Sequence, residues 1–212
     1  MRLAKRTRPE TLPATHFLST RVQNPTEEDA TKAHRCLKRL NGAMELGLRL
    51  NATSPIGVIS YIDAAHGAHM NAKSRLGASH AIGAGAIEAA SSTIGVSTKS
   101  ACESEHVALS EQVANSTRLR SFLMGQGHHQ QPATVMQDDE SAIKLAESGL
   151  SSASRARRIN IRRFFVKDRV ANGEIKVEYC PTKSMIADVL TKPSQGQLLL
   201  ELRDLSLGYV QA

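Results

Sequence analysis

Three runs between residues 57 and 98, GVISYIDAA, ASHAIGAGAI and ASSTIGVST, mix apolar with small or polar residues and are separated by turn-forming Asn, Lys and Gly. That pattern predicts an antiparallel meander of three strands. A helical period takes over at 101–124, where Cys102, Leu109, Val113 and Leu123 fall on one apolar stripe. Beyond the loop GQGHHQQP come a short strand ATVMQ, a helix DESAIKLAES, a Ser-rich joint and a basic helix SRARRINIRRFFVKDRV, in which Phe164 and Phe165 read as core anchors. Asn172-Gly173 then turns the chain into a strand EIKVEYC, a helix around MIADVLTKP and a tail helix GQLLLELRDLSLG. Upstream, Thr26 reads as the N-cap of a helix with Glu27, Glu28 and Asp29 in its first turn and Gly42 after its end. Ala30, Ala33, Leu37 and Leu40 give that helix one apolar, packing face. The order of elements predicts a mixed α/β fold, a five-stranded sheet flanked by helices. Residues 1–52 read as a separate, mostly helical segment and 53–212 as the main domain.

Composition narrows the class. The chain has 212 residues, 3% of them aromatic and none of them tryptophan, so its core is aliphatic. A net charge of +7 favours an acidic partner, nucleic acid or an anionic surface. Cys36, Cys102 and Cys180 are odd in number and far apart, which suggests neither a disulfide framework nor zinc. No apolar run reaches the ~20 residues of a membrane span, and the basic start MRLAKRTRPE lacks a signal peptide's apolar stretch, so a cytoplasmic or nuclear setting is expected.

Against this background four acids stand at apolar positions. Helix phase turns Glu105 into the stripe with Cys102 and Leu109, whereas Glu103 points outward. Asp63 lies inside a strand run, a place where Asp is depleted. Asp138 closes the strand ATVMQ, and Asp188 sits between Ala187 and Val189. Each has a plainer reading: Asp138 as the cap of the next helix, Asp188 as a solvated helix residue, Asp63 as an edge-strand acid. Gathered in one place, carboxylates repel, and divalent cations with a taste for hard oxygen, Mg²⁺ or Mn²⁺, are the usual remedy.

The pattern resembles the ribonuclease H domain of copia-type LTR retrotransposon polyproteins over residues 55 to 210. Asp63-Ala64-Ala65-His66 and Ser74-Arg75-Leu76-Gly77 match the first-strand motif and the Ser-x-x-Gly element. Ser100 to His106 matches the start of the catalytic helix, and Gln137-Asp138-Asp139-Glu140-Ser141-Ala142-Ile143 a further motif. The most specific match is the heptad Ala187-Asp188-Val189-Leu190-Thr191-Lys192-Pro193. Departures are Ala65, His66 and Ala89 where the family has an Asp and two Trp, and Arg157-Arg158-Ile159-Asn160 where it has Lys-His-Ile-Asp. Upstream, Arg8-Pro9-Glu10-Thr11 and LKRLNGAMELGL resemble the segment that connects reverse transcriptase to ribonuclease H.

The resemblance implies a ribonuclease H-like sheet, three antiparallel strands followed by two parallel ones. It implies a metal-dependent endonuclease that hydrolyses the RNA strand of RNA/DNA hybrids, with Asp63, Glu105, Asp138 and Asp188 as catalytic residues and ligands of two Mg²⁺ or Mn²⁺ ions. Arg155, Arg157, Arg158, Arg162, Arg163 and Lys167 are the candidate nucleic-acid contacts, and a reverse transcriptase domain is a candidate partner. The competing expectation is a catalytically silent remnant of the same fold that binds nucleic acid or supports a polymerase. A nuclease or integrase of related fold is the third.

Overall fold

The computed structural model describes residues 2–52, 56–68, 72–148, 157–192 and 196–209. In chain order the helices are α1 (Arg2–Arg6), α2 (Leu12–Ser19), α3 (Glu27–Asn41), α4 (Ala101–Gly125), α5 (Glu140–Ser148), α6 (Arg157–Ala171), α7 (Asp188–Thr191) and α8 (Gly196–Leu207). The strands are β1 (Asn51–Ala52), β2 (Ile59–Ala65), β3 (Arg75–Ala81), β4 (Gly83–Ala84), β5 (Glu88–Thr93), β6 (Ala133–Gln137) and β7 (Ile175–Tyr179).

One sheet has the order β5-β3-β2-β6-β7. Strands β5, β3 and β2 pair antiparallel, and β6 and β7 follow parallel. This is the ribonuclease H-like, five-stranded mixed sheet expected from the sequence. Strand β2 lies at its centre, so the edge-strand reading of Asp63 does not hold. The second strand starts at Arg75, three residues earlier than its apolar pattern, because Arg75 is itself buried and spends its guanidinium on Ser91 Oγ (3.3 Å) and Pro13 O (3.3 Å). Its far end breaks at Gly83–Ala84, which leaves the sheet to pair with β1.

Helix α4 lies on β2 and β3 and also touches α5 and α6. Every residue from Ser104 to Ser110 is therefore buried, rather than one stripe. The core it joins is aliphatic, with Leu109 and Val113 of α4 among Ile62, Leu76 and Val135. Polar pins cross the same layer: buried His80 meets Ser60 Oγ at 2.8 Å and Gln112 Oε1 at 3.2 Å, and Ser116 donates to Ser60 at 2.8 Å.

At the start of the chain, Ala4 and Leu12 are buried with Val189, Leu190 and Leu202. The linker is stitched to the body by Arg49 N donating to Leu207 O at 2.8 Å and by the β1–β4 pair. Helix α3 has the expected N-cap at Thr26, and Asp29 completes a capping box with it. Its apolar face is less covered than its pattern predicts, since Leu37 is 65% exposed, and so its packing role is corrected.

Candidate active site

The C-terminal half of β2, the first turns of α4 and the end of β6 meet at the C-terminal end of these two parallel, interior strands, and each brings an acid. Asp63, Glu105 and Asp138 offer carboxylate oxygens that all lie within 4.8 Å of one another. Asp63 is 2% exposed and Glu105 6%. Their surroundings hold them in place. Glu105 Oε1 accepts from Ala64 N at 3.0 Å, and its Oε2 accepts from Gln137 Nε2 at 3.3 Å. Asp63 Oδ2 accepts from Thr191 Oγ1 at 2.5 Å. Asp138 Oδ2 accepts from Thr182 Oγ1 at 3.1 Å.

Asp138 is free for this role because its neighbour caps the helix. Asp139 Oδ1 accepts from Ser141 N (2.7 Å) and Ala142 N (3.0 Å) at the start of α5, which disposes of the capping reading of Asp138. Glu103, on the outer side of α4, accepts from Lys99 N at 2.5 Å and tidies the helix entry.

Crowding and burial set the electrostatics. Burial first, and then the adjacent Asp63, push the Glu105 carboxyl up to about 9. Asp63 is also raised, by burial against the restraint of Thr191 and Lys192. A group of hard oxygens this close, one of them held well above the ordinary carboxylate range by burial and a neighbouring acid, fits a divalent cation.

Asp188, at the start of α7, adjoins the three acids without joining them. It is 8% exposed, so it is not a solvated helix residue, and its Oδ1 lies 2.5 Å from Lys192 Nζ. Gln137, Thr191 and Lys192 are thus site residues that sequence reasoning did not single out. The last two stand inside the quoted heptad, which was their only signal.

Beside the acids, His66 Nδ1 lies 2.9 Å from Ser104 Oγ, and Ser104 meets Ser74 (3.0 Å) and Thr98 (2.7 Å). His128 and His129 are exposed, and His69 lies outside the described residues.

The basic helix is corrected in part. Arg163 is 6% exposed and packed where α6 meets α4, so it cannot track phosphates from an open face. Arg162 pairs with Glu111 at 2.7 Å. Phe164 is 51% exposed rather than a core anchor, whereas Phe165 packs against the core. Arg157, Arg158 and Lys167 lie on α6, and Arg155 lies outside the described residues. Among the described residues no helix is long and apolar enough to cross a membrane.

No family model matches the chain. It is similar to the retrovirus-related Pol polyprotein from transposon TNT 1-94 of Nicotiana tabacum, 29% identical over 187 residues, and spans 88% of this chain and 14% of that polyprotein. Among solved structures it is similar to LC11-RNase H1 isolated from compost, with 16% identity, coverage of 64% of this chain and 92% of that one, and a TM-score of 0.46. RNase H1 from the halophilic archaeon Halobacterium salinarum NRC-1 follows at 14% identity, 63% and 93% coverage and a TM-score of 0.44. LC11-RNase H1 in complex with RNA/DNA hybrid gives 15%, 63% and 93%, and 0.43. The chain has the strand order and directions of the ribonuclease H-like sheet that its motifs predict, and over 187 residues it is similar to a stretch of a retrotransposon Pol polyprotein.

Proposed function

We propose that the protein is a metal-dependent endonuclease that hydrolyses the RNA strand of RNA/DNA hybrids. The convergence of Asp63, Glu105 and Asp138 within 4.8 Å carries this reading. Those three carboxylates would hold the cation, with Asp188 as the adjoining fourth acid. Bound there, Mg²⁺ or Mn²⁺ supplies activation of a water and charge stabilisation at the leaving 3′ oxygen.

The chain's own residues do the rest. Thr191 and Gln137 fix the rotamers of Asp63 and Glu105, so the oxygens are oriented before the substrate arrives. The net charge of +7 favours the phosphate backbone of the hybrid. On α6, Arg157, Arg158, Arg162 and Lys167, together with Arg155, remain the candidate contacts. The polyprotein similarity supports other Pol domains as partners, a reverse transcriptase among them, and the upstream motifs make residues 1–52 a connection-like segment ahead of the 53–212 domain.

The test is incubation of the purified protein with a labelled RNA/DNA hybrid in Mg²⁺ or Mn²⁺. The parent is expected to cut the RNA strand, and Asp138→Asn to lose about 100-fold or more, beyond the effect usual for residues that only support ligands. Glu103→Gln is expected to keep most of the activity, because Glu103 faces away from the three acids. A folded parent that leaves the hybrid intact would overturn the enzyme reading in favour of the silent nucleic-acid-binding module.

A further inference from the structure

Asp188 and Lys192 are separated by one helical turn, and this spacing lets the lysine fold back onto the acid. Lys192 Nζ lies 2.5 Å from Asp188 Oδ1. The two ends of the pair are unlike: the Asp188 side chain is 11% exposed and that of Lys192 is 49% exposed. The acid is therefore part of the wall, while the lysine side chain is half-exposed and has solvent to move into. The preceding residue, Thr191, donates to Asp63 and also to Asp188 O at 3.1 Å. Two consecutive side chains at the end of α7 thus engage two of the acids, buried Thr191 as a hydrogen-bond donor to Asp63 and half-exposed Lys192 as a cation on Asp188. Asp63, Asp188 and Asp138 all act electrostatically on Lys192, and Asp188 is the one in direct contact.

We propose that Lys192 is a built-in counter-cation that competes with a divalent ion for Asp188. In this reading, which rests on the metal site proposed above, the first ion binds Asp63, Glu105 and Asp138 without disturbing the lysine. A second ion needs Asp188, and takes it only when the ammonium swings out to solvent. The chain thereby makes the two binding events unequal and leaves the second one weak. Lys192 acts through Asp188 and is a positioning residue, not a catalytic one.

The test is calorimetric titration of the full chain with Mn²⁺ alone, with no substrate present, for the parent, Lys192→Met, Lys192→Arg and Asp188→Asn. The parent is expected to show one tighter and one weaker event. Lys192→Met should strengthen the weaker event by about tenfold or more, since an opposite charge beside a carboxylate shifts its equilibria by one to three powers of ten. The tighter event should strengthen by clearly less than the weaker one, because Lys192 touches Asp188 directly and reaches Asp63 and Asp138 only through space. Lys192→Arg keeps the charge and should behave as the parent, and Asp188→Asn should remove the weaker event. Thermal melting confirms that each variant is folded, as expected for a half-exposed arm. An unchanged or weakened second event in Lys192→Met overturns the counter-cation. Absence of any Mn²⁺ binding by the parent, with Asp138→Asn indistinguishable from it, overturns the metal site itself and the counter-cation with it.

Discussion

Glu105→Gln is expected to stabilise the metal-free protein while abolishing cleavage. Burial and the adjacent Asp63 hold the Glu105 carboxyl at about 9, against an ordinary value of 4.5. A carboxyl raised on folding contributes its full stability below the unfolded value and loses it as pH rises toward the folded one. The window is thus pH 4.5 to about 9, and within it the parent weakens steadily in the absence of metal. At neutral pH the accumulated loss is roughly 3 kcal/mol by linkage. A neutral amide of the same shape does not titrate; its carbonyl oxygen still accepts from Ala64 N, while its NH2 forfeits the bond from Gln137 Nε2, as the protonated acid's hydroxyl also does. In chelator the two proteins should melt together near pH 4.5 and diverge as pH rises, the variant leading by about 6–12 °C at neutral pH. Saturating Mg²⁺ should close the gap by stabilising the parent through binding. A variant that melts at or below the parent at pH 8 in chelator would sink the account of Glu105 as a strained, cation-seeking carboxyl.

The acids were legible because each breaks a local rule. Glu105 interrupts an apolar stripe and Asp63 interrupts a strand, and tertiary structure compensates both. What surrounds them was not legible, since Thr191 reaches Asp63 across 128 positions of sequence and no local pattern encodes that meeting. Fold order was also readable, from strand-like runs and turn residues, but not the true start of β3. Arg75 looks like a surface residue until Ser91 and Pro13 are seen to receive it. Basic residues misled in the same way. Arg163 belongs to a run of arginines that reads as a cationic face, yet α6 packs on both α4 and α5 and so buries one of them. Helix α3 shows the converse failure: amphipathic spacing predicts a face, but only a neighbour in space can cover Leu37.

The glycine of the Ser-x-x-Gly element supplies the second large effect. Gly77 pairs with Asp63 across β2 and β3, and α7 crosses directly above it. A Cβ on Gly77 would stand 2.7 Å from Ala187 O, 2.7 Å from Thr191 Cγ2 and 2.9 Å from Leu190 Cβ. The first of these is backbone, and so no rotamer change relieves it. Gly77→Ala must therefore lift α7 from the sheet, and Asp188, Thr191 and Lys192 travel with it. Overpacking of this kind costs about 1–3 kcal/mol, and contact with a carbonyl oxygen places the expectation at the upper end. Melting should fall by about 6–12 °C. Loss of the Thr191 bond to Asp63 should lower hybrid cleavage beyond what the remaining folded fraction explains, because the carboxylate is then free to leave its rotamer. Gly95→Ala is the matched control: its Cβ would meet nothing within 4 Å, and its melting and cleavage should stay near the parent's. If Gly77→Ala melts with the parent and cuts as fast, α7 is not held against β3 by close approach, and the positions of Asp188 and Lys192 at the site lose their support.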